Sequence, residues 1–158
     1  MVTQLGKWAF LTYRLPREPS APRLALWRSL RRLGALPVGD GVVALPHSTR
    51  NLEHLEWLAA GIGESGGSAS VWLAQPTSAR VHWAYVEQMQ RAADEEYQVV
   101  LKEARRMRTS QEVRRAVRRL RAQLRRIQGR DYFGAAVGAQ ARAEVERLAQ
   151  RVAEEVPA

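Results

Sequence analysis

Arginine is the residue whose number and spacing most clearly invite chemistry in this chain. Its planar guanidinium is always charged and presents a rigid fork of donors that matches phosphate oxygens. There are 23 arginines against 2 lysines, and the net charge is +9. Residues 102–130 hold twelve of the 25 basic groups and only two acids, Glu103 and Glu112. That is a local charge of +10, and the rest of the chain, with 13 basic and 14 acidic groups, sums to −1. Such clustering is how a polyanion-binding surface shows itself in a sequence. Within it, Arg114, Arg115, Arg118, Arg119, Arg121, Arg125 and Arg126 are the candidate nucleic-acid contacts. The alternative is an ion-paired structural helix that uses acids on its neighbours, such as Glu87, Asp94, Glu95, Glu96, Glu144 and Glu146. A second set, Arg28, Arg31 and Arg32, could form another basic patch or simply a solvated helix face.

Other chemistry finds little purchase. The chain has no cysteine, which removes disulfides, thiolate metal sites and thiol nucleophiles. His47, His54 and His82 lack metal-ligand spacing with one another or with nearby acids, so no metal or other cofactor is expected. No phosphate-cradling glycine loop, dinucleotide fingerprint or nucleophile elbow occurs. The aromatics Trp8, Phe10, Trp27, Trp57 and Trp72 are read as core or interface residues rather than base-stacking platforms. No apolar run is long enough for a membrane span, and the N-terminal MVTQLGKWAFLTY lacks the build of a signal peptide, so a cytoplasmic location is expected.

These side chains need elements to hold them. Lys7–Arg14 (KWAFLTYR) reads as a strand ending before Pro16. Ser20 and Pro22 open a helix with Leu26, Leu30 and Leu33 inward and Leu24 and Trp27 beside them, closed by Gly34. Ala35–Val38 and Val42–Leu45 flank Gly39-Asp40-Gly41 as a hairpin, with Pro37 marking an edge strand. Ser48 or Thr49 caps a helix with Leu52, Leu55, Ala59 and Ile62 on one face, and Ala69–Ala74 is a fourth strand. The order β-α-β-β-α-β over residues 1–75 is the split βαβ or ferredoxin-like arrangement, an α+β fold.

Residues 76–158 read as a three-helix, arginine-rich segment. Ser78 can cap the first helix, along which Val86, Met89, Ala93, Val100, Ala104 and Met107 recur at helical spacing. Val113, Val117, Leu120, Leu124 and Ile127 form the inner stripe of a helix over 110–128, stopped by Gly129. A last helix is expected from about Asp131 to Glu155, with Val137, Ala141, Val145, Leu148 and Val152 inward.

The segments Tyr13-Arg14-Leu15-Pro16-Arg17-Glu18-Pro19, PRLALWRSLRRLGA, GDGVVALP and EHLEWLAAGIGESGGSASVW, with Asp131-Tyr132-Phe133 further on, resemble the N-terminal domain of the ChrB family of chromate-resistance regulators. A looser likeness runs to the ferredoxin-like domain of the PaaX repressor and to a small CRISPR-associated nuclease of the same fold. The resemblance implies a regulator that binds duplex operator DNA as a homodimer, with an oxyanion such as chromate as a possible effector. Family members with full sensing function carry a further C-terminal domain, and this chain ends near Ala158, so chromate sensing does not carry over directly. Val43 stands where these families often have tryptophan. The nuclease relatives use an aspartate at the end of the first strand, where this chain has Tyr13-Arg14-Leu15, so no enzymatic activity is expected. A non-enzymatic helical protein that binds an acidic protein partner is the competing reading. The homodimer is expected through the sheet face away from the helices, unless the helical half covers it.

Overall fold

The computed structural model describes residues 5–154. The chain divides into two compact units, Met1–Val86 and Glu87–Ala158.

The first unit is α+β. Its elements follow as β1 (Trp8–Arg14), α1 (Ala21–Leu33), β2 (Leu36–Gly39), β3 (Val42–Pro46), α2 (Thr49–Glu64) and β4 (Ser68–Ala74). The strands form one antiparallel sheet in the order β2-β3-β1-β4. Strand β1 is central because Ala9 and Leu11 find buried cross-strand partners in Leu45 and Val43. Pro37 lies in β2, an edge strand that pairs only with β3, where its missing N–H is tolerated. The β2–β3 turn passes through Gly41 at φ 66, and the Gly41 carbonyl accepts from the Tyr13 amide at 2.8 Å.

Helix α1 buries Leu26 and Leu30 but leaves Leu33 half-buried, with Leu24 and Trp27 exposed. Ser20 occupies its N-cap position, yet φ −76 and ψ −19 are helical values and the side chain makes no capping bond. Gly34 ends the helix in the left-handed region at φ 72. Helix α2 is capped by Ser48, whose Oγ accepts from the Asn51 amide at 3.0 Å. It buries Leu55, Leu58 and Ile62, whereas Leu52 and Ala59 are half-buried.

Helix α3 (Ala79–Arg106) begins in the first unit. There the fully buried Trp8 donates from Nε1 to His82 Nδ1 at 3.1 Å and meets the Tyr85 ring edge-on at 5.4 Å. By strand alternation Trp8 belongs to the sheet face expected to be bare, so α3 covers part of that face. Trp72 on the same face remains 57% exposed.

The second unit is helical and adds α4 (Ser110–Gln128) and α5 (Val137–Glu154). Its core joins Tyr97, Val100, Leu101 and Ala104 of α3 to Val113, Ala116, Leu120, Leu124 and Ile127 of α4 and Ala141, Val145 and Leu148 of α5. Val117, Val137, Val152 and Met107 pack at its margin. The last helix starts at Val137 rather than Asp131. The Asp131 carboxylate accepts from the Ala135 amide at 3.0 Å and from the Tyr97 hydroxyl at 3.2 Å, and Gly134 at φ 70 turns the chain out of helix. Asp94 of α3 then caps α5 by accepting from the Val137 amide at 2.8 Å. Burial, and next to it the Asp131 carboxylate, push the Tyr97 phenol up from its ordinary value. Glu155, the expected last helical residue, lies outside the described residues. Among the described residues no helix is long and apolar enough to cross a membrane.

Candidate nucleic-acid interface

Helix α4 carries its charge along the whole of its exposed side. A capping box holds its start: Thr109 Oγ1 accepts from the Glu112 amide at 3.3 Å, and Glu112 accepts in return from the Thr109 amide at 2.9 Å. Those amides, Thr109 first and then Arg108, hold the Glu112 carboxyl below the ordinary carboxylate range. Its apolar stripe is seated in the core, with Val113 and Leu120 at 0% exposure and Val117 partly buried at the margin. At 1.5 Å per residue the helix is about 28 Å long.

All seven candidate arginines of α4 lie on its outer surface, clear of the buried stripe. Helical spacing sorts them into two rows flanking that stripe. Arg114, Arg118, Arg121 and Arg125 form the row on the α5 side, where Arg121 meets Glu146 at 2.9 Å. Arg115, Arg119 and Arg126 form the row on the α3 side, where Arg119 pairs with Glu103. That pairing holds the Glu103 carboxyl below its ordinary value and raises the Arg119 guanidinium.

The acids that the sequence offers as neutralising partners are mostly engaged elsewhere. Glu87 pairs with Arg91 and Glu144 with Arg147, each on its own helix, and Glu96 pairs with Arg130. Asp94 is used as the α5 cap. Of these acids only Glu146 reaches an α4 arginine. Glu103, which holds Arg119, escapes a sequence reading because it sits inside the basic run itself. Among the described residues, Arg114, Arg115, Arg118, Arg125 and Arg126 have no carboxylate partner. A groove between α4 and α5 is lined by Arg121, Arg125 and Arg142, with Gln128 at its edge and Glu146 as its acid. The arrangement can do one thing well: offer several free guanidinium groups on a rigid rod to a run of phosphates.

The second candidate set belongs to the first unit. Arg28 and Arg31 lie on the outer side of α1 with Arg32 near them, and the Arg31 guanidinium is 5.0 Å from the centre of the Trp27 ring. Trp27, Trp57 and Trp72 are 54, 75 and 57% exposed, so of the four tryptophans expected in a core or interface only Trp8 is a core residue. Trp83, which the sequence reading passed over, is also exposed. Asp40 shares a shallow hollow with Arg14 at the end of β1, and Asp131 is committed to Tyr97 and the Ala135 amide. Among the described residues no three His, Asp or Glu side chains are grouped to hold a metal ion.

A family model described as Protein ChrB, N-terminal, matches residues 23–156, which run from α1 through α5. No curated protein and no solved structure matches the chain.

Proposed function

The chain belongs to the ChrB N-terminal family, and from that premise we propose that it is a non-enzymatic, cytoplasmic DNA-binding regulator or regulator module acting in chromate resistance. The observation that carries the reading is the set of five α4 arginines with no carboxylate partner among the described residues. Guanidinium groups left unpaired on a helix seated by its apolar stripe are free to meet phosphates, and each phosphate neutralised releases counterions. The sheet order β2-β3-β1-β4, with a helix crossing between β1 and β2 and another between β3 and β4, supports reading the first unit as ferredoxin-like. The reading as a non-enzyme is supported by the commitment of Asp131 to structural hydrogen bonds and by Arg14 beside Asp40, where it would repel a divalent cation.

The test is fluorescence anisotropy of a labelled duplex titrated with the chain. Binding that weakens linearly in log salt and is displaced by unlabelled duplex supports the proposal. Binding to acidic polypeptide with no binding to duplex favours the interaction-protein reading and overturns it.

A further inference from the structure

The outer surfaces of α1 and α2 carry opposite charge, each with an exposed tryptophan at its centre. On α1, Leu24, Arg28 and Arg31 follow i, i+4, i+7 spacing with Trp27 alongside, and Leu24 and Trp27 are 47 and 54% exposed. On α2, Glu53, Trp57, Ala60 and Glu64 follow i, i+4, i+7, i+11 spacing, and Trp57 is 75% exposed. Among the described residues Arg28, Arg31, Glu53 and Glu64 make no ion pair. The two stripes thus have matched period and apolar residues among their charges, and apart from the stacking of Arg31 on Trp27 those charges have no partner among the described residues.

Both stripes lie on one layer. Right-handed crossovers from β1 to β2 and from β3 to β4 put α1 and α2 on the same side of the sheet, over Ala9, Leu11, Val43 and Leu45. An indole left in water forgoes the burial of a large apolar surface, and clustered exposed apolar residues ringed by charge mark interaction sites.

We infer that this helical layer is a homodimer surface, on which α1 of one copy packs against α2 of a second copy and the reverse contact repeats about a twofold axis. The charge pattern selects this occupant. A nucleic acid would suit Arg28 and Arg31 but be repelled by Glu53 and Glu64, and an acidic protein would meet the same repulsion. A second copy of this chain presents a basic stripe to each acidic one, so a twofold pair satisfies both at once. Trp27 and Trp57 then leave water together at the centre of each contact. This interface is independent of the α4 reading, since it uses none of the α4 arginines.

The experiment is sedimentation equilibrium of the full chain with two charge-reversal variants, Arg28→Glu/Arg31→Glu and Glu53→Arg/Glu64→Arg. The parent is expected to dimerise, and each variant alone to dimerise more weakly by about tenfold or more, since like charges then face each other at both contacts. An equimolar mixture is expected to associate more tightly than either variant alone, because both contacts in the mixed dimer again join stripes of opposite charge. A neutral variant, Trp57→Ser, should also weaken the dimer while leaving the circular dichroism spectrum and the salt dependence of duplex binding unchanged. A parent that stays monomeric up to millimolar concentration, a dimer indifferent to both charge reversals, or a mixture that associates no better than its components overturns the inference. Absence of duplex binding with the dimer intact would instead count against the α4 reading alone.

Discussion

Helices α1 and α4 both lay an arginine-rich outer face over an apolar inner one, yet they suit different partners. Helix α4 has no large apolar side chain exposed among its arginines, and its neighbours hold only two of the seven candidates. Helix α1 sets its arginines beside exposed Leu24 and Trp27 and stacks one of them on the indole. Phosphate recognition needs charge on a stable rod and little else. A protein interface needs an aromatic anchor that leaves water, with charge around it to fix register. Counting arginines therefore locates basic surfaces without saying what they bind. The side chains between the arginines decide that.

The comparison is most strongly tested where α4 meets its core. Leu120 is fully buried, and Leu120→Ala should cost about 2–5 kcal/mol. Thermal unfolding followed by circular dichroism reads this, and a destabilisation well under about 1 kcal/mol would contradict the picture of α4 as a helix held rigid by packing.

A smaller effect follows from acid. The Glu103, Glu112 and Glu144 carboxyls are held below their ordinary value by the Arg119 guanidinium, by the Thr109 and Arg108 amides and by the Arg147 guanidinium, respectively. A carboxyl with a folded pKa below its unfolded one stabilises the fold above the unfolded value and loses that contribution as pH falls through the folded one. All three lie in the second unit, so its melting temperature should fall as pH is lowered below 4.5, the ordinary value of these groups. A melting temperature that stays flat on acidification would contradict the assigned contacts.

The smallest effect on stability belongs to α1. Trp27→Ala removes an exposed ring and the stacking of Arg31 on it, and should cost under about 1 kcal/mol. It should also leave the salt dependence of duplex binding where it was. A change in that dependence would show that α1 takes part in phosphate contact and would erase the distinction between the two helices.

Much of the scaffold was legible because local chemistry and tertiary role agree. Pro37 marks an edge strand, Gly34 takes the left-handed cap, Ser48 caps α2, and the 4-3-4-3 spacing of Val113 to Ile127 bounds α4 at 110–128. The start of α5 was not legible, because Asp131 spends its carboxylate on Tyr97, 34 residues away in sequence, and on Ala135. Ser20 misled for the opposite reason: a favourable capping residue already sits in helical geometry. The sequence alone did not sort the tryptophans between core and interface: Trp8 is buried, while Trp27 and Trp57 fall on the outer faces of their helices. At the candidate interface the arginines could be named from sequence. Which of them are free could not, because that depends on where Glu103 and Glu146 reach across from other helices.

That division between free and paired arginines gives the most direct test of the account. The triple variant Arg114→Gln/Arg118→Gln/Arg125→Gln removes only unpaired groups, and Arg119→Gln/Arg121→Gln removes only paired ones. Glutamine keeps helix propensity nearly unchanged. The slope of log affinity for duplex DNA against log salt should shrink by up to about 3 in the triple variant, close to one unit for each phosphate no longer neutralised, with little change in melting temperature. The double variant should show the reverse, a lower melting temperature and a slope nearer the parent's. A triple variant that binds duplex with the parent's affinity and slope would contradict the claim that α4 is the nucleic-acid surface.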